Sequence, residues 1–355
     1  MSMNLPDNFD GFYNIVLGMS LNSLKFNNFS DNFDAERFNF DGQDRSRDFE
    51  LNARMFFFSW FFARRERLFE AYSSLSNDQS KLLYICLITY RLAGHLAFKI
   101  PVDFLSRQKE LEAFRAAEKS TESQYPVTGM FGKLQHFDFE FEGHRYVADC
   151  LGLEACLHRR QYFYEVGDVR VMPEPGDVVI DGGACTGDTA LVFSNAVGPA
   201  GKVYSFDPVK DHIDILHYNI AQFPYQNVVA MPYGLSDHEV DAPLMVTDHY
   251  APGFSVEAKP VPLTSLDSLV ERGEIDRIDY IKLDVEGAEL ETLKGAMQSI
   301  RKFRPKMAIS LYHKPDDIFS LLLYVKEHFD FYKFYIGHYT IHQEETVLYC
   351  APISR

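Results

Sequence analysis

The sequence is poor in cysteine and in basic residues and has no long apolar run, and each shortage excludes something. Five cysteines (Cys86, Cys150, Cys156, Cys185 and Cys350) are scattered over 355 residues, an odd number with no Cys-x-x-Cys pair. That pattern supports neither a disulfide framework nor a thiolate zinc site, and it fits a reducing compartment. Lysine and arginine number 35 against 51 aspartates and glutamates, a formal charge of −16. A field of that sign repels phosphate backbones, so a nucleic-acid partner is not expected. The two most apolar runs, 55–62 and 82–90, are closed by Arg64 and Arg65 and by Arg91. Both stop far short of the roughly 20 residues that a bilayer span requires. The N-terminal stretch shows neither the basic region nor the apolar core of a secretory leader, so a cytoplasmic location is the expectation.

What is present divides into three stretches. Residues 1–50 are rich in Phe and Asn without helical or strand periodicity, and they read as an irregular arm packed on the body or on a second subunit. Residues 51–125 read as a helical N-terminal domain. Leu51, Met55, Phe58, Phe62 and Phe69 fall near one face of its first helix, and Asn77 is the expected N-cap of the second, with Gly94 near its end. Such a domain suits a cap over a site or a dimer interface, hence a homo-oligomer. Its Phe-rich helix followed by Arg64, Arg65 and Arg67 also suits a peripheral membrane contact. Residues 126–355 open with a hairpin turning at Glu142-Gly143, then alternate strand, turn and helix from Pro175 onward. Short apolar strands at 178–181, 203–207, 228–231, 280–284 and 307–311 alternate with helical patterns, notably 210–219, 288–299 and 317–329. This is an α/β fold with a mostly parallel, Rossmann-like sheet. The last two strands, 331–336 and 346–350, are joined by too short a link for a crossover and form a hairpin.

The chemistry gathers at the carboxyl ends of these strands, where open α/β sheets bind ligands. The first ends in VVIDGGACTGDT, with Asp181, Gly182, Gly183 and Gly187 at the strand-to-helix turn. The second ends at Asp207, placed to accept ribose hydroxyls. The loop lacks the Gly-x-Gly-x-x-Gly of a dinucleotide site and any Lys or Arg to neutralise a phosphate, and it carries Asp181 and Asp188 at its ends. Negative charge opposes a pyrophosphate but favours the ammonium and sulfonium of S-adenosylmethionine. The fourth strand delivers Asp284, which can orient an acceptor hydroxyl or hold a divalent cation with Glu286. Glu286 and Glu289 also have a purely structural explanation, as carboxylates answering the free amides of a helix start. After the fifth strand, Tyr312, His313 and Lys314 leave the sheet, and His313 is the candidate base. His338, Tyr339 and Glu345 are weaker candidates around the final hairpin.

These motifs, with RRQYF, YSFDP, TSLDSLV, IKLDVEGAE, LYHKPDD and ETVLY, resemble the FkbM-type S-adenosylmethionine-dependent methyltransferases over roughly residues 126–355. The resemblance implies the class I methyltransferase fold, a seven-stranded sheet with an antiparallel last strand. It also implies O-methylation, commonly of a sugar hydroxyl in a bacterial surface polysaccharide, glycolipid or glycosylated natural product. It places the methionine end of the donor at Asp181, Gly182, Gly183 and Gly187, the ribose at Asp207, and the adenine near Ser236 and Asp237. Asp284 and His313 face the transferred methyl, and magnesium is a cofactor in some related enzymes. The sequence departs in ending its second strand in Phe-Asp-Pro, where the family often has Glu. Two rival readings stand beside this one: a NAD-dependent sugar epimerase or dehydrogenase, and a non-catalytic scaffold retaining the fold. The first lacks its phosphate loop and any Tyr-x-x-x-Lys pair.

Overall fold

The computed structural model describes residues 5–25, 29, 32, 51–103, 106–126, 134–245 and 260–353. The chain divides into two compact units, Met1–Ser106 with Leu311–Leu348, and Arg107–Ser310 with Tyr349–Arg355.

In the first unit, α1 (Phe9–Ser23) corrects the expectation of an irregular arm. The Asn8 side chain accepts from Gly11 N at 2.8 Å, and Phe12, Val16 and Ser20, spaced four apart, form the buried stripe. Interspersed Asn and Asp mask that period in the sequence. Most of the remaining arm, 33–50, lies outside the described residues. Helix α2 (Leu51–Ser74) forms as expected, but with a different buried face. Trp60, Phe61, Leu68, Ala71 and Tyr72 are in the core, whereas Met55 and Phe62 are 65% and 43% exposed. A helix with Phe on every side has apolar content but no phase, so its orientation is set by its neighbours. Helix α3 (Asp78–Ala93) starts at Asn77, which caps Ser80 N at 2.8 Å, and ends at Gly94. Its last carbonyls, those of Tyr90 and Arg91, accept from the Arg54 guanidinium, a cation at the negative end of the helix.

The second unit opens with α4 (Gln108–Ala117) and a three-stranded antiparallel sheet of β1 (Ser120–Glu122), β2 (Gln135–Phe141) and β3 (His144–Cys150). Glu142 and Gly143 both have positive φ, 47° and 80°, as a two-residue hairpin turn requires. After α5 (Glu154–Leu157) and the pair β4 (Tyr164–Val166) and β5 (Val169–Val171), the main alternation begins. It runs β6 (Val178–Gly182), α6 (Asp188–Val197), β7 (Lys202–Phe206), α7 (Lys210–Ile220), β8 (Val228–Met231), β9 (Gly234–Leu235), β10 (Leu263–Thr264) and α8 (Leu266–Glu271). It continues β11 (Tyr280–Leu283), α9 (Glu289–Lys294), α10 (Met297–Phe303), β12 (Lys306–Ser310), α11 (Asp317–His328), β13 (Tyr332–His338) and β14 (Thr346–Pro352).

Seven strands form one sheet in the order β13-β14-β12-β11-β6-β7-β8. β6 is paired in parallel with both β11 and β7, so the loop after it emerges at the middle of the carboxyl edge. The seven residues between β13 and β14 leave room only for a hairpin, which makes the antiparallel end of the sheet. The single helix expected over 288–299 is two, α9 and α10, because the chain bends at Gly295. A Cβ there would sit 1.9 Å from Ser236 O, so the main chain of another segment occupies the place of a side chain.

Candidate functional site

The register across β11, β6 and β7 places Lys282, Asp181 and Ser205 side by side in one row. Residues paired in register point to the same face of a sheet. Asp181 is wholly buried, and its carboxylate accepts from Thr189 Oγ1 at 2.9 and 3.1 Å and from Ser205 Oγ at 3.4 Å. Lys282, 1% exposed, places Nζ 3.2 Å from Asp181 Oδ1, and donates to Gly182 O and Gly183 O at 3.1 and 2.8 Å. It also lies 5.3 Å from the Tyr162 ring centroid. Burial works against its charge, but Asp181, Asp284 and Asp188 together hold the ammonium above its ordinary value. Asp181 therefore braces the loop from beneath, rather than presenting a free carboxylate at the surface.

The loop itself is built on residues with left-handed backbones: Gly183 at φ 79°, Cys185 at 45° and Gly187 at 91°. A Cβ on Gly183 would lie 1.8 Å from Asp284 O, and one on Gly187 would lie 2.7 Å from Leu216 Cδ1. Only glycine satisfies both the dihedral and the space. Gly183 N and Ala184 N both donate to Phe206 O at 3.0 Å, tying the loop to the end of β7. Asp188, the first residue of α6, has its carboxyl pushed up to about 6 by burial, with Lys282 opposing and Asp181 adding to the rise.

Asp207 lies just beyond β7 and is 5% exposed. Its Oδ2 accepts from Cys185 N and from His212 Nδ1, both at 3.1 Å, and its Oδ1 accepts from Val209 N at 2.9 Å. Ser236, buried after β9, donates its backbone N–H to Thr264 O at 2.9 Å. Asp237 beside it is exposed and pairs with His238 at 2.7 Å, which holds its carboxyl below the usual range.

Asp284 follows β11 and is half-buried, with Oδ2 accepting from Tyr162 Oη at 2.8 Å. Tyr162 is fixed by its own main chain: its N–H donates to Tyr349 Oη and its carbonyl accepts from Tyr280 Oη. Glu286 is exposed at φ 55°, whereas Glu289 is buried and accepts from Val285 N at 3.0 Å, a helix-start cap. Among the described residues, no group of three or more His, Cys, Asp or Glu is placed to hold a metal ion.

The structure thus gathers Asp181, Gly182, Gly183, Gly187, Asp207 and Asp284 at one edge of the second unit. His313 belongs to the first unit, at the exit of β12, half-buried with its ring 4.3 Å from that of Tyr312. His338 is buried, bonded to Thr346 Oγ1 at 2.9 Å, and burial depresses it to about 3. That makes it a structural imidazole and a weak base. The first unit also carries a cleft of about 510 Å³ lined by Phe56, Ser59, Trp60, Arg64, Lys314, Pro315 and Asp316.

Three residues that support this edge escape the sequence reading. Lys282 had a signal: a lysine inside a strand buried on both faces requires a charge partner. Tyr162 sits in the RRQYF motif without any spacing that assigns it a role. His212 shows only as a histidine in the first turn of a helix, five residues after Asp207.

A seven-stranded sheet in this order, with a glycine turn after β6, is a class I methyltransferase-like fold. A solved structure of methyltransferase FkbM from Methylobacillus flagellatus KT has the same fold, with a TM-score of 0.52 and 17% identity over 82% of this chain and 60% of that one. Residues 181–335 match the family model described as methyltransferase FkbM domain, and this segment is a domain of the FkbM methyltransferase type. A curated relative, hexuronic acid methyltransferase AglP of Haloferax volcanii, is 35% identical over 134 residues, covering 36% of this chain and 54% of that protein. The chain therefore spans about half the length of the curated relative it matches. No helix among the described residues is long and apolar enough to cross a membrane.

Proposed function

We propose that this protein is an S-adenosylmethionine-dependent O-methyltransferase acting on a sugar hydroxyl, in a surface polysaccharide, a glycolipid or a glycosylated natural product. The observation that carries the reading is the charge balance at the loop. Asp181, Asp188 and Asp284 act together on one buried ammonium, that of Lys282. Three carboxylates face one ammonium, and Asp188 among them is raised to about 6, chiefly by its burial. A cationic ligand relieves that surplus, whereas a pyrophosphate aggravates it.

The residues fit the donor. Gly183 and Gly187 permit a tight left-handed turn packed against Asp284 O and Leu216 Cδ1, and Asp207 offers a carboxylate held by three bonds at the next strand tip. The loop at 183–188 would hold the methionine end, Asp207 the ribose, and Ser236 and Asp237 the adenine side. The donor supplies an activated methyl group on sulfur. The chain must orient the acceptor oxygen, exclude water and take up the hydroxyl proton. In this reading Asp284, steadied by Tyr162, orients the acceptor, and His313 accepts the proton. Alignment of this kind contributes on the order of 7–11 kcal/mol and a positioned base ~10²–10⁴-fold. A sugar acceptor is supported by the relative whose name specifies a hexuronic acid.

The proposal takes 126–355 as the methyltransferase domain and 51–125 as a cap or dimer surface in a cytoplasmic homo-oligomer. The exposed Met55, Phe56 and Phe62 of α2 support the latter, and sedimentation of a Met55→Asp, Phe62→Asp variant tests it. Calorimetry with S-adenosylmethionine, its demethylated product and NAD tests the donor. Micromolar binding of the first two supports the reading, and binding of NAD alone overturns it. Transfer of labelled methyl to a panel of uronic-acid and neutral saccharides then tests the acceptor.

A further inference from the structure

The carboxylate proposed to receive the ribose does not stand alone. Asp207 is nearly buried, and two of its three bonds come from backbone amides, Cys185 N to Oδ2 and Val209 N to Oδ1. Those amides fix position but carry no countercharge. The third partner is a side chain, His212, 3% exposed in the first turn of α7. Its Nδ1 lies 3.1 Å from Asp207 Oδ2 and its Nε2 lies 4.0 Å from Cys185 Sγ.

Facing a carboxylate, Nδ1 must carry a proton and donate. The ring therefore links the tip of β7 to the middle of the glycine loop through Cys185. Burial lowers the imidazole, but its contact with the Asp207 carboxylate opposes this and leaves it raised above its ordinary value. Burial raises the Cys185 thiol despite His212, so the sulfur is a neutral neighbour and Asp207 is the ionic partner. Among the described residues, Oδ2 is filled by two donors while Oδ1 accepts one. One oxygen is thus committed to the protein, and the other retains capacity for a hydroxyl.

We infer that His212 is a positioning residue for the donor: it holds Asp207 through Oδ2 so that Oδ1 receives the ribose. The inference rests on the donor reading above and adds a residue on which that reading does not depend.

The test is calorimetry with S-adenosylhomocysteine on wild type, H212L, H212Q, D207N and the D207N/H212L pair, with circular dichroism to check folding. H212L keeps bulk without a donor, and its Kd is expected to rise on the order of tenfold to a hundredfold. H212Q keeps a side-chain donor and is expected to recover most of that loss. The two lesions in D207N/H212L should be far from additive, since each removes the same contact. With an acceptor in hand, the H212L defect should fall on donor KM more than on kcat. As a check that needs no altered contact, the ¹⁵N ring resonances of His212 in wild type should shift on titration with S-adenosylhomocysteine. An unmoved resonance, or an H212L Kd equal to wild type, overturns the inference alone. Failure of wild type to bind either nucleoside overturns the donor reading and this inference with it.

Discussion

Lys282→Met is the perturbation that most directly tests how the loop is supported. The ammonium is 1% exposed and makes an ion pair with Asp181, two bonds to carbonyls of Gly182 and Gly183, and a contact with the Tyr162 ring. Methionine fills nearly the same volume, so packing changes little. What changes is charge, because among the described residues Asp181 stays fully buried with only two hydroxyl donors, Thr189 and Ser205. Breaking a buried pair by removing one partner costs about 3–5 kcal/mol, and each carbonyl left without its donor adds to it. Urea unfolding of K282M should show a loss in that range, and S-adenosylmethionine affinity should drop as the Gly182–Gly183 turn loosens. The double variant K282M/D181N removes the stranded charge while Thr189 keeps a partner, and it should regain at least half of the loss. A loss below about 1 kcal/mol in K282M, or a double variant less stable than either single one, refutes this account of the loop.

Gly183→Ala sets a Cβ 1.8 Å from Asp284 O on a residue at φ 79°. Strain and overpacking together should cost about 2–5 kcal/mol and abolish measurable donor binding, a result that thermal unfolding and calorimetry check. His313→Ala is expected to retain donor binding but lose ~10²–10⁴-fold in turnover, and unchanged turnover would remove it from the mechanism. Asp188 sets a pH dependence. Raised to about 6, its carboxyl is charged only above that pH, so affinity for the cationic donor should fall as pH drops through 6. Donor binding near that pH should release a proton, seen by calorimetry in buffers of different ionisation enthalpy. The stability contribution runs the other way. A carboxyl whose folded value lies above its unfolded one holds extra protons in the native state, so its contribution shrinks as pH rises from about 4 to about 6.

The alternation of buried strands and capped helices was legible because each signal is local. Asn77 before an apolar run, Glu-Gly between alternating segments, and glycines after a short strand each imply one geometry, and each appears. The buried face of α2 was not legible, since a helix apolar on all sides is oriented by tertiary neighbours. Helix α1 was hidden by a composition that suggests irregular chain, although Asn8 was a cap signal of the same kind as Asn77. The break at Gly295 depends on Ser236, some 60 residues away, and no local pattern announces it.

The site divides along the same line. Its glycines and strand-tip acids are visible because they sit at fixed offsets within motifs. Their partners are supplied by register and by distant chain: Lys282 by the pairing of β11 with β6, Tyr162 by a segment 122 residues before Asp284. The motif names Asp181 without its counterion, which only the register supplies. An acid in a strand buried on both faces needs a counterion, and the counterion decides what the acid can do. Lys282 is paired with Asp181 and His212 with Asp207, so both strand-tip acids are tied to side chains that lie outside the motifs naming them.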